Sequence, residues 1–200
     1  MKSVKNIVLI SFLGILILAL YSCKETTIKG WYKAGNKPES YRVGLDKSIY
    51  QNGNQSAFLE SIETITSGFG TLMQSCETKN YSGKKIKMSG FIKSENVKDW
   101  AGMWLRIDES NKPSTEHFDN MVNRPIKGST DWTNYEIIMD VPVNSYTMNF
   151  GILLSGTGKV WIDNVKFEII DDSSEKFEEP YGNKKSTGLN LQPDNLDFEK

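Results

Sequence analysis

Between Trp31 and Ile170, apolar and polar residues alternate in short runs separated by clusters of Gly, Asn, Asp, Ser and Pro. Period two sends successive side chains to opposite faces of an extended chain, so the runs predict half-buried strands. In 84–93, Ile86, Met88 and Ile92 alternate with Lys85, Lys87 and Ser89. In 133–141, Tyr135, Ile137, Met139 and Val141 alternate with Glu136 and Asp140. Residues 102–108, 147–155 and 159–170 complete the clear set; 41–45, 56–63 and 69–76 are softer candidates. Roughly eight strands suit an all-β domain over 31–170, an antiparallel two-sheet jelly-roll β-sandwich in which each inner face covers the other.

Both ends break the pattern. Lys2 and Lys5 precede an apolar run from Ile7 to Leu20 that holds one polar residue, Ser11, and no charge. The run is shorter than the roughly 20 residues a spanning helix needs, so 1–22 reads as an export signal. Leu20-Tyr21-Ser22-Cys23 follows, and it resembles the bacterial lipobox: an apolar residue, two tolerant positions ending in a small one, then Cys. That resemblance implies a lipoprotein whose mature chain starts at a diacylglyceryl Cys23, held to a membrane by its acyl chains. An ordinary secretory signal or an uncleaved anchor is the other reading. Residues 23–30 would then be a short lipidated tether. Lys24 is not the Asp that retains some lipoproteins at the inner membrane, which leans toward the outer one. At the far end, 171–200 holds eight acids against four bases and reads as an acidic loop or tail. Strand-like alternation returns only over 195–199.

Composition narrows the chemistry. The 200 residues carry 24 basic and 25 acidic side chains, a net charge of −1 that becomes −3 once 1–22 are removed. Neither value draws a chain onto nucleic acid, and export argues further against it. Lys84, Lys85 and Lys87 read as the solvated face of one strand. One His and two Cys cannot supply a multi-His or Cys-rich metal site. Cys76, near Phe69, Leu72 and Met73, reads as a buried thiol. His117 stands near Glu116, Asp119, Asp108 and Glu109 and invites an acid/base reading. It lies in a turn-rich stretch, however, and no nucleophile elbow or zinc-binding helix accompanies it. A binding module is expected over an enzyme, with a hydrolase as the alternative.

Several blocks are similar to galactose-binding-like jelly rolls, a group that includes bacterial carbohydrate-binding modules. Gly158-Lys-Val-Trp-Ile-Asp-Asn-Val-Lys-Phe-Glu168 resembles their closing strand, and Gly83-Lys-Lys-Ile-Lys-Met-Ser-Gly-Phe-Ile-Lys93 an earlier one. The blocks Trp100–Asp108, Phe118–Met121 and Arg124–Gly128 look like a narrower bacterial subgroup, in which the domain is an accessory beside other modules, DNA-binding regulators and hydrolases among them. No helix-turn-helix pattern stands in this chain, so a regulator's role does not transfer. The resemblance covers about residues 31–170 and argues architecture better than ligand. These modules commonly open on an Asn-x-x-Phe-Glu strand whose acid, with an Asp of the closing strand, helps hold a structural calcium. Here Asn195-Leu-Asp-Phe-Glu199 sits at the opposite end. It either fills the missing edge and brings Glu199 toward Asp163, a possible calcium pair, or is the vestige of a following repeat.

Alternation places Trp104, Arg106 and Asp108 on one strand face, opposite Met103, Leu105 and Ile107. An exposed indole stacks on the C–H face of a sugar while Arg and Asp bond vicinal hydroxyls, which is the combination a saccharide site uses. Trp100, Tyr41 and Gln74 would join from neighbouring strands. The plainer reading has Trp104 filling a sheet face and Arg106 pairing with Asp108 or Glu136. The expected function is therefore a glycan-binding module of an envelope lipoprotein, or a structural or protein-interaction domain of an envelope complex with no small ligand.

Overall fold

The computed structural model describes residues 27–62, 64, 67–109, 115–171 and 187–200. Cys23, the signal segment and most of 171–186 lie outside them. Among the described residues nine strands form: β1 (Tyr32–Gly35), β2 (Tyr41–Asp46), β3 (Ser56–Ser61), β4 (Phe69–Glu77), β5 (Lys85–Asp108), β6 (Phe118–Asp119), β7 (Ile126–Asp140), β8 (Thr147–Ser155) and β9 (Lys159–Asp171). A single 3-10 turn, Pro38–Ser40, is the only helical element among the described residues.

All pairings between the strands are antiparallel. Two layers share one strand. The first half of β5 pairs with β7 and β9, and β9 continues through β3 to β2. Its second half pairs with β8 and β6, and β8 continues through β4 to β1. The result is a nearly closed antiparallel β-sandwich, as the alternation predicts. The expected strands 84–93 and 102–108 are one continuous strand of 24 residues. Between Ile92 and Ala101 its register against β7 shifts three times, and Asn96 adopts φ 53°. Such bulges bend and twist a strand, and Asn tolerates the left-handed region better than most residues. The bend carries β5 from one sheet to the other.

Inner faces interdigitate at Ile86, Met88, Ile92, Met103, Leu105 and Ile107 of β5 against Leu59, Leu72, Phe150, Ile152 and Ile162, all fully buried. Each such side chain contributes on the order of 1.5–3 kcal/mol of transfer free energy. Residues 28–31 and 195–198 close one end of this core. Ile28 and Trp31 are buried, and the Trp31 ring lies 5.0 Å from that of Phe198, itself fully buried. Trp31 Nε1 donates to the Asn195 carbonyl (3.0 Å) and the Asn195 amide to the Lys29 carbonyl (3.0 Å). Residues 28–30, expected in the tether, and 190–200, expected in the tail, thus belong to the folded domain.

The expected strand at 195–199 does not form. The segment nevertheless docks beside the closing strand: Val165 N–H donates to the Leu196 carbonyl at 2.9 Å. Asn195 and Phe198 both adopt positive φ, which breaks the extended ladder while leaving Phe198 pointed into the core.

Candidate binding face

The outer face of the β1-β4-β8-β5-β6 layer gathers the polar side chains of four strands. Register sets Tyr32 beside Met73, Met73 beside Gly151 and Gly151 beside Trp104. One row on, Ser75 faces Asn149, Asn149 faces Arg106, and Arg106 faces Phe118. A hydrogen-bonded string runs along these rows. The Tyr32 hydroxyl lies 2.7 Å from Ser75 Oγ, which donates to Asn149 Oδ1 at 2.6 Å. Asn149 Nδ2 donates to Asp108 Oδ2 at 2.8 Å. Arg106 closes the string with a forked pair to the same carboxylate, Nε to Oδ1 at 2.9 Å and Nη2 to Oδ2 at 3.0 Å. Two aromatic rings stand at its margins, Tyr32 46% exposed and Phe118 41% exposed.

Trp104, Arg106 and Asp108 do share this face, but Trp104 is not an open platform. It is 6% exposed. Its Nε1 donates to Thr71 Oγ1 at 2.8 Å, two strands away, and the indole crosses β8 where Gly151 has no side chain to block it. Phe118 meets it edge-on, ring centroids 6.4 Å apart. The 120–121 segment also comes down on this face, so a Cβ at Gly102 would sit 2.8 Å from the Asn120 carbonyl and 3.4 Å from the Trp100 ring. Trp104 is thus the floor, and the exposed rings are its neighbours. Trp100 is half-buried at the far end of the face.

Tyr41 and Gln74 are not on this face. Tyr41 is buried between the layers, its ring packed on Gly70 and its hydroxyl shared between the carbonyls of Gly68 and Gly156, 2.9 Å from each. Gln74 points inward too. Its amide brackets Asp194, donating to the carbonyl (2.9 Å) and accepting from the N–H (2.8 Å), so it fastens the C-terminal segment. Tyr32, Ser75, Asn149 and Phe118 hold the places instead. Their signal in the sequence is the same alternation, but the strand order that unites them is nonlocal.

The second outer face carries the other conspicuous Trp. Trp161 of β9 is 1% exposed, its Nε1 bonded to Asp46 Oδ2 at 2.9 Å. The Lys159 ammonium lies 4.4 Å from the Trp161 centroid and 4.5 Å from that of Phe58. Phe58 in turn covers Gly44, where a Cβ would sit 2.7 Å from the ring. Burial raises the Asp46 carboxyl, but the Trp161 bond, the Ser48 and Ile49 amides and Lys159 outweigh it and hold it below its ordinary value.

Asp163 and Glu199 do approach one another, and both grip the β2–β3 loop. Asp163 accepts the N–H groups of Gln51 (2.9 Å), Asn52 (3.2 Å) and Asn164 (2.8 Å). Glu199 accepts those of Asn54 (2.7 Å) and Gln55 (3.2 Å) and the Asn54 side-chain amide (3.2 Å). Burial pushes the Asp163 carboxyl up despite its three N–H donors, and nearby Glu199 adds to the rise. N–H groups converge on both oxygens of each carboxylate, so the pair clamps the loop.

His117 Nε2 lies 3.5 Å from Glu109 Oε1 at the rim beside β6, with Glu116 next to it. Asp119 is committed elsewhere, forked by Arg124 at 2.8 and 3.1 Å. Cys76 is fully buried, and burial pushes its thiol up to about 12, which leaves no thiolate at neutral pH.

The fold is an antiparallel β-sandwich, and solved structures show the same architecture. The enzymatically active domain of bacteriophage CBA120 tailspike protein 4 superposes with a TM-score of 0.57 at 15% identity, covering 72% of this chain and 20% of that one. The CBM22-1 xylan-binding domain of Paenibacillus barcinonensis Xyn10C gives 0.52 at 15% identity, covering 74% and 90%. The tandem CBM22-1-CBM22-2 domain of that protein gives 0.54 at 16%, covering 80% and 46%. At such identities the likeness establishes fold alone. In sequence, the chain is 40% identical over 181 residues to a Bacillus subtilis protein described as the uncharacterized HTH-type transcriptional regulator YbfP. The match takes in 90% of this chain and 59% of that protein's length. No family profile matches the chain.

Proposed function

We propose that this chain is a non-catalytic binding module that takes a saccharide on the outer face of the β1-β4-β8-β5-β6 layer. One observation carries the reading: a string of mutually hydrogen-bonded polar groups crosses four strands on a solvent-side face, with the exposed rings of Tyr32 and Phe118 at its margins. Rings offer C–H stacking surfaces, and prearranged hydroxyl, amide and guanidinium groups exchange their spare hydrogen bonds with sugar hydroxyls at little entropic cost. The fold shared with xylan-binding domains supports it. The test is a glycan array with the wild-type chain beside Phe118→Ala and Tyr32→Ala, folding checked by circular dichroism. Defined hits weakened at least tenfold by both changes support the reading; hits indifferent to both move the site elsewhere.

The burial of Trp104 favours a second reading, a protein-interaction domain with no small ligand, and an array without hits selects it. In either case the module is presented from a bacterial membrane, the outer one by preference, through acylated Cys23. Labelled palmitate incorporated by the wild type and not by Cys23→Ser, together with surface proteolysis of intact cells, tests that placement. A DNA-binding role does not follow from the relative described as a regulator. The chain spans only 59% of that protein, and the described residues hold one 3-10 turn and no longer helix.

A further inference from the structure

We infer that the face selects neutral saccharides and rejects uronates, and that Asp108 is the residue that imposes the choice. The inference rests on the saccharide reading above. Arg106 is the cation on the polar string, and a guanidinium fork is the protein group best matched to a carboxylate. In this structure one edge of that fork is already filled. Asp108 takes Nε at 2.9 and 3.2 Å and Nη2 at 3.0 Å, so the Nε–Nη2 edge of the guanidinium is occupied by a carboxylate from the protein, which also balances its charge. Asp108 cannot readily swing away. It is buried, and Asn149 Nδ2 holds its Oδ2 from the adjacent strand.

What remains of Arg106 faces a neutral ligand well. Its side chain is 27% exposed and Nη1 bonds none of the described residues, which leaves N–H donors for a hydroxyl while its charge is cancelled locally. The rest of the border adds negative charge. Glu77 bonds the Thr187 hydroxyl and Asp99 the Ser155 hydroxyl, neutral partners that leave each carboxylate's charge in place. A uronate on this face meets these acids, and Arg106, the cation on the string, is already paired with Asp108. A neutral pentose or hexose meets only dipoles and rings.

The experiment is one array carrying neutral oligosaccharides beside uronate-bearing ones, xylohexaose, cellohexaose and C6-oxidised cello-oligouronate among them, probed with the wild type, Asp108→Asn, and Arg106→Gln/Asp108→Asn. Asn keeps the shape of Asp and an acceptor for the Asn149 amide, and thermal melts confirm that each variant is folded. The wild type is expected to bind neutral glycans at least tenfold better than uronates. Asp108→Asn is expected to gain uronate binding by tenfold or more, and the double variant to lose that gain, because the freed fork is gone. Wild-type binding of uronates as tight as of neutral glycans overturns the inference and leaves the saccharide reading standing. So does a folded Asp108→Asn with no gain. An array blank for every protein overturns the saccharide reading, and this inference falls with it.

Discussion

Each of the two outer faces of the sandwich buries a tryptophan, bonds its indole N–H to a side chain on another strand, and carries a cation on the same face. On the β9 face Lys159 sits over the rings of both Trp161 and Phe58, and Asp46 and Glu60 lie 3.8 and 3.7 Å from its ammonium. The cation caps the aromatics and the acids cap the cation. On the β5–β8 face the cation turns away from the indole: Arg106 is drawn along the sheet to Asp108, and Trp104 is roofed only at its edge by Phe118. The same residue types therefore make a sealed structural cluster in one place and an open, polar, ring-flanked surface in the other. What separates them is where the acid stands. An acid across the strands holds the cation over the rings; an acid two residues along the same strand pulls it off them.

The difference predicts that changes on the sealed face register in stability and those on the open face in binding. The largest effect is expected from Trp161→Ala, which empties a fully covered site and costs about 3–5 kcal/mol, read as a lowered denaturant midpoint. Two glycine changes sharpen the contrast. Gly44→Ala drives a methyl into Phe58 and Gly102→Ala drives one into the Asn120 carbonyl, each costing on the order of 1–3 kcal/mol. Only Gly102→Ala displaces the 118–121 segment, so on the saccharide reading proposed above titration should show glycan affinity lost there and kept in Gly44→Ala. Equal losses in both break the comparison.

Glu199→Gln has a smaller effect, distinguished by its pH dependence. The Asn54 and Gln55 amides hold the Glu199 carboxyl below its ordinary value, so its contribution is complete above that value and lost as pH falls through the depressed one. The midpoint gap between wild type and variant should be widest at neutral pH and close on acidification. Asp163 runs the other way: its pKa is raised, so its contribution is complete below the ordinary carboxylate value and declines as pH rises through the folded one. Smallest in stability are Tyr32→Ala and Phe118→Ala, expected within about 0.5 kcal/mol of wild type because both rings are already substantially exposed. A large fall in melting temperature for either would show that the open face is structural after all.

Much of the architecture was legible from alternation, because strand periodicity is local. So was the sharing of a face by Trp104, Arg106 and Asp108, which needs only one strand. Alternation divides a strand into two faces, however, without saying which is inside. Tyr41 and Gln74 were expected outside, yet both lie inside, where they satisfy backbone groups that no apolar residue could. The continuity of β5 was missed because its bulged middle, Ser94–Trp100, has no period to read.

One of the two readings of Asn195-Leu-Asp-Phe-Glu199 brought its acid toward Asp163, and the acid lies there, on a turn and not a strand, where it clamps a loop. The sequence by itself determined the antiparallel sandwich, most of its strands and the face shared by Trp104, Arg106 and Asp108, since these follow from periods of two along one chain. Only the tertiary structure decided that Tyr32, Ser75, Asn149 and Phe118 complete that face, and that Trp104 lies under it. Strand order and register bring together residues more than a hundred positions apart, and no local pattern encodes which strand will lie beside which.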